Sequence, residues 1–96
     1  MKLDCILTAC NTNDLYLDFI PIFIKSWTKL YPDVDIKIVL IMDSDTIPHK
    51  FEDYKDNIIL FKPIPNISTA FISQYIRLLY PCILNNYENG IMITDI

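Results

Sequence analysis

The segment that most constrains the fold is residues 36–42, Ile-Lys-Ile-Val-Leu-Ile-Met, which is apolar without a break once Lys37 is passed. A strand with one wet face alternates apolar and polar residues. An unbroken run rich in Ile and Val fits a strand covered on both faces, as in a parallel sheet. Covering both faces requires helices, and the flanking sequence supplies them. Residues 2–10 form a first apolar, strand-like run that ends in the polar break Asn11-Thr12-Asn13-Asp14, where Asn13 or Asp14 can cap a helix. From residue 15 to 30 the positions Leu15, Phe19, Ile20, Phe23, Ile24, Trp27 and Leu30 recur at helical spacing, with a kink or restart expected at Pro21.

Beyond the central run, residues 43–57 are polar and irregular, with at most a short helix over 50–55, and 58–61 is a short strand leaving through Lys62-Pro63-Ile64-Pro65. Residues 68–84 present Phe71, Ile72, Tyr75, Ile76 and Leu79 on one broad apolar helical face, with Pro81 ending the regular part. A turn over 85–90 leads into a last strand over 91–94. The order is strand, helix, strand, loop, strand, helix, strand. It predicts an α/β domain spanning residues 1–96, with a mostly parallel sheet of about four strands and helices on its faces.

Composition narrows the function. The chain of 96 residues is 52% hydrophobic and has a net charge of −4, which places it outside disorder and argues against nucleic acid as a partner. A single glycine, Gly90, excludes a P-loop and a G-x-G-x-x-G turn, which need several glycines to bring backbone close to phosphate. Three cysteines, Cys5, Cys10 and Cys82, are an odd and sparse set that fits a reducing compartment. The most apolar stretch, 15–27, carries Asp18, Pro21 and Lys25 and is not a bilayer span. The first ten residues, interrupted by Asp4, are too short for a secretory signal. A cytoplasmic protein is expected.

Ligands of parallel α/β sheets bind beyond the carboxyl ends of the strands. There the sequence places Thr8, Asn11, Asn13, Asp14 and Tyr16, amides and a carboxylate able to read a base edge beside a ring able to stack on its face. The same residues also describe a capped helix with a packed tyrosine. Arg77 is the only charge between residues 67 and 83, and a guanidinium among apolar neighbours is costly unless it meets a carboxylate or phosphate or reaches solvent. Ser73 and Gln74 share its stripe of the helix. Residues 91–95 deliver Asp95 at a strand end, and Asp43-Ser44-Asp45 has the same form with two carboxylates, read either as a cation site or as a solvated turn. The lone histidine, His49, has no ligand partner at zinc spacing.

Three of these pieces resemble one family. The strand and loop over 6–16 resemble the opening of GT-A-fold glycosyltransferases, especially family 8 and its relatives, where the first strand leads into a Thr, Asn and Tyr pattern with the Tyr near the uracil of a UDP-sugar. Tyr75-Ile76-Arg77-Leu78-Leu79-Tyr80-Pro81 looks like the family's Y-x-R-L-x-x-P helix, whose Arg faces the diphosphate. Gly90-Ile91-Met92-Ile93-Thr94-Asp95 resembles the strand that feeds the D-x-D motif. The resemblance implies a Rossmann-like nucleotide-sugar-binding half, with Thr8, Asn11, Asn13, Asp14, Tyr16 and Arg77 around the donor. It also implies Asp95 on Mn²⁺ or Mg²⁺, and glycosyl transfer as the parent activity. The chain ends one residue after Asp95, one short of the motif's second carboxylate. The expectation is therefore a truncated domain, inert alone, with an open sheet edge prone to self-association.

Two other readings stand beside it. Asp43-Ser44-Asp45-Thr46-Ile47 after an apolar strand is similar to the D-x-D-x-[TV] motif of haloacid-dehalogenase-like phosphatases, where the first Asp attacks phosphorus and the second is acid and base. A non-catalytic α/β interaction module is the third.

Overall fold

The structure is a computed structural model and describes residues 3–82 and 90–94. Strand β1 (Cys5–Cys10) leads to helix α1 (Asp14–Leu30), strand β2 (Asp35–Ile41), two 3-10 turns within His49–Asn57, strand β3 (Ile58–Phe61), helix α2 (Thr69–Leu79), a 3-10 turn (Tyr80–Cys82) and strand β4 (Ile91–Ile93). The four strands form one sheet in the order β3-β2-β1-β4, and every pairing is parallel. This is the α/β fold that the uninterrupted apolar run predicts, and its strand order is Rossmann-like.

Alternation along the strands divides the core into two layers. Ile6 and Cys10 of β1, with Ile36, Ile38 and Leu40 of β2, face α1 and pack on Ile20, Phe23 and Ile24, with Phe51 closing one side. Cys5, Leu7 and Ala9, with Val39 and Ile41, face α2 and pack on Ile72 and Ile76. Strand β2 is central, and its residues 38–41 are all buried because both faces are covered. Towards the start of that strand Asp35 is exposed and Lys37 is half-buried, its ammonium donating to the Asp56 carbonyl.

The helix starts follow cap chemistry. Asn13 Oδ1 accepts from the Leu15 N–H at 3.0 Å, and Ser68 Oγ accepts from the Phe71 N–H at 3.1 Å. Each side chain satisfies one of the N–H groups that a first turn leaves without an intrahelical partner. Asn66, at φ 69°, turns the chain just before the second cap, in a region asparagine tolerates better than most residues. Two boundaries differ from the sequence expectation. Helix α1 runs through Pro21 unbroken, because Ile20, Phe23 and Ile24 on either side of it are all buried against the sheet. Helix α2 stops at Leu79, five residues short of the expected end, and passes into a 3-10 turn that contains Pro81. Tyr80 keeps right-handed helical angles (φ −59°, ψ −34°), and regular helix gives out because Pro81 has no N–H to donate to the carbonyl four residues back.

Candidate functional site

The strand order puts a topological switch point beside β1. The chain leaves β1 for β2 on one side, and β4 returns on the other. Crevices outside the carboxyl ends of the strands at such points are where α/β sheets bind ligands. A pocket of 170 Å³ opens there, lined by Ala9 and Cys10 of β1, Tyr16 of α1, and Ala70, Ser73, Gln74 and Arg77 of α2. Pockets that enclose a whole small ligand run to about 300–1,000 Å³, so this one takes a heterocycle or a phosphate group rather than a complete nucleotide sugar.

Each wall has a local cause. Tyr16 lies in the first turn of α1, held in place by the Asn13 cap, and its ring is partly exposed. Residues 70, 73, 74 and 77 are spaced i, i+3, i+4, i+7 and so form one stripe of α2, beside the Ile72 and Ile76 stripe that packs on the sheet. Small side chains at 9 and 70 keep the pocket open. The Ser73 hydroxyl donates to the Ala70 carbonyl at 2.8 Å, which leaves its lone pairs to accept. Arg77 is half-buried and supplies the cation. The Cys10 thiol forms part of the floor, and burial pushes it up to about 12 from the ordinary 9.0, so it is a neutral, unreactive wall.

The sequence candidates separate into four groups. Tyr16 and Arg77, 61 positions apart in the chain, share the pocket. Asn13 and Asp14 stand exposed at the start of α1, the first as its cap and the second as a carboxylate at the positive end of the helix. Asn11 is bonded within the protein, to Asn13 N–H at 3.0 Å and to Thr69 Oγ1 at 3.3 Å. Thr8 is fully buried and does not line the pocket: it shares the α1 face with Ile6 and lies two residues back from Cys10, whose place at the strand end lets it reach the pocket floor. The expected clustering of Thr8 with Tyr16 is therefore not what the structure shows. Strand alternation carries that signal, since only one of Thr8 and Ala9 can turn to the α2 side. Ala70 and Cys10 were not singled out in the sequence, although counting back three, four and seven residues from Arg77 gives Gln74, Ser73 and Ala70.

Asp95, the expected metal ligand, lies outside the described residues. Among the described residues no three His, Cys, Asp or Glu side chains gather into a group that could hold an ion. Asp43 and Asp45 follow β2 at the same edge of the sheet, both exposed. Asp45 pairs with Lys62 at 2.9 Å, and the Ser44 hydroxyl folds back on Thr46. That is a solvated turn, with Asp45 but not Asp43 on the pocket beside His49 and Glu52. A groove of 360 Å³ beside α2 is larger than the switch-point pocket but is lined by Phe61, Ile67, Phe71 and other apolar side chains and presents no polar surface.

Fold and site together define an α/β protein with a Rossmann-like, all-parallel sheet and a polar pocket at its switch point. No family model, no curated protein and no solved structure matches the chain. No helix among the described residues is long and apolar enough to cross a membrane.

Proposed function

We propose that this chain is the donor-nucleotide-binding half of a GT-A-like glycosyltransferase, with a cytoplasmic setting and a nucleotide sugar, most simply a UDP-sugar, as its small-molecule partner. The observation that carries the reading is the switch-point pocket, where a partly exposed aromatic ring on α1 and a guanidinium on α2 meet across the end of β1. A nucleoside diphosphate needs this pair, a flat apolar face for the base and a fixed cation for the phosphates.

In this reading the Tyr16 ring stacks on the base and the Ser73 hydroxyl and Gln74 amide bond to its edge or to the ribose. Arg77 faces the diphosphate and, in the parent reaction, stabilises the charge that builds on it as the glycosidic bond breaks. Asn13 and Asp14 set the entry of α1 and so the placement of Tyr16. The resemblance adds Asp95 as one carboxylate for Mn²⁺ or Mg²⁺, a cation that would neutralise the pyrophosphate. Because the pocket has room for part of a donor only, donor binding through these walls alone is weak.

The test is a titration of the chain with UDP and UDP-glucose, with and without Mn²⁺, followed by NMR on the Tyr16 ring and the Ser73 and Gln74 amides. Saturable shifts at all three, lost in Arg77→Ala and reduced in Tyr16→Ala, are the expected result. Shifts confined to other surfaces, or none, would remove the nucleotide from this pocket. The phosphatase reading has less support, because Asp45 is paired with Lys62 in an exposed turn.

A further inference from the structure

One side chain ties together the two segments that begin the pocket's helices. Asn11 directly follows β1. Its Oδ1 accepts from the Asn13 N–H at 3.0 Å, and its Nδ2 donates to Thr69 Oγ1 at 3.3 Å. Asn13 is the cap of α1, and Thr69 is the first residue of α2. A single amide is thus bonded to the start of both helices, across a sequence separation of 58. The pocket lies alongside: Cys10 adjoins Asn11, Ala70 adjoins Thr69, Tyr16 sits in the first turn beyond Asn13, and Arg77 stands two turns along α2.

The helices lie on opposite faces of the sheet, so the distance from Tyr16 to the Ser73, Gln74 and Arg77 stripe depends on how the loop after β1 is anchored. An amide offers one oxygen and one NH₂ group. In Asn11 each makes one bond inside the protein, which fixes the amide between the two helix starts, and Asn11 is not among the residues that line the pocket.

We infer that Asn11 is a positioning residue, a strut that spaces the α1 and α2 walls of the pocket through Asn13 and Thr69, and not a ligand-contacting group. The inference rests on the pocket being the donor-nucleotide site, and it deepens that reading by moving one expected ligand residue into the scaffold. Misplacement of groups by a fraction of an ångström is enough to weaken a site built from two independent elements.

The experiment compares Thr69→Val, Thr69→Ser, Asn11→Ala and the Asn11→Ala/Thr69→Val double variant. Two readouts are taken: Tyr16 ring and Ser73 and Gln74 amide NMR signals without ligand, and the dissociation constant for UDP. Thr69→Val, which keeps the shape but loses the hydroxyl, should move the signals on both walls and weaken UDP about threefold to tenfold, the range of one neutral hydrogen bond. Thr69→Ser should restore both readouts, and the double variant should be no worse than Asn11→Ala. If Asn11→Ala lowers UDP affinity while Thr69→Val leaves it intact, Asn11 meets the ligand itself and the inference fails. Additive effects of the two substitutions, or a Tyr16 signal indifferent to Thr69→Val, would also overturn it. Should the wild-type chain bind no UDP, the nucleotide reading falls, while the ligand-free signals and the cycle still decide the strut. The two Thr69 variants suffice if Asn11→Ala does not fold.

Discussion

Thr8 is fully buried, and its hydroxyl has no hydrogen-bond partner among the described residues. A buried hydroxyl without a partner costs on the order of 1–3 kcal/mol relative to an apolar group of the same shape. Thr8→Val should therefore leave stability unchanged or raise it by about 1 kcal/mol, read from urea unfolding, and should not alter UDP binding. A loss of stability would reveal a bonded partner for that hydroxyl. Cys10 makes a pH prediction. Its thiol is neutral when protonated, and the folded chain holds the proton up to about 12 against an ordinary 9.0. The stabilisation is fully present below pH 9.0 and is lost as pH rises toward about 12, because the unfolded chain releases the proton first. The slope approaches about 1.4 kcal/mol per pH unit. Unfolding curves at rising pH should show that loss in the wild type and a smaller one in Cys10→Ala, and Cys10 should resist alkylation at pH 8 until the chain is unfolded.

Among the elements, α1 is a helix that tolerates its own worst residue. Pro21 removes one backbone bond and crowds the preceding turn, a cost of about 3 kcal/mol in a helix interior. Burial of Ile20, Phe23 and Ile24 offsets it, at about 1.5–3 kcal/mol for each large apolar side chain taken fully from water. Pro21→Ala should raise stability by about 1–3 kcal/mol, measured as a higher urea midpoint with the same m-value. No gain would mean that the turn around Pro21 already meets its backbone groups some other way. The two caps are symmetrical tests: Asn13→Ala and Ser68→Ala should each cost about 1 kcal/mol. The existence and type of all six strands and helices was legible in the sequence, because periodicity reports which side of an element is apolar. The end of α2 was less so. Phe71, Tyr75, Leu78 and Leu79 continue a helical pattern, but these side chains stand exposed and add no core packing to carry the helix past Pro81.

For the molecule as a whole, a Cα radius of gyration of 12.9 Å is close to the roughly 12.5 Å expected of a compact domain of this length. Compactness has not hidden all the apolar surface. Leu15, Phe19 and Ile22 form an exposed stripe on α1, and Phe71, Tyr75 and Leu78 do so on α2, where the Phe71 and Tyr75 rings stack at 5.8 Å. Strands β3 and β4 are the two edges of the sheet. Edges and apolar flanks of this kind favour association. Sedimentation across a range of concentrations should show self-association, reduced by a Phe71→Gln/Leu78→Gln variant with an unchanged unfolding midpoint. A monomer at all concentrations would show that these surfaces are tolerated in water.

Sequence alone determined the class of fold. An unbroken Ile- and Val-rich run needs cover on both faces, and helices before and after it can provide that cover only as an α/β layer structure. It also narrowed the first cap to Asn13 or Asp14, because a cap acts on N–H groups two or three residues away, and the structure uses Asn13. Tertiary structure decided what meets what. Strand order brings Tyr16 and Arg77 to one pocket, although neither signals the other along the chain. The pleat sends Thr8 into the core and leaves Ala9 at the pocket, a choice between two faces that local sequence does not make. Asn11 became a candidate strut only when the start of α2 arrived beside it. Local rules act over a few residues and are written in spacing, whereas a site is made of contacts between distant segments, which exist only once the sheet has assembled.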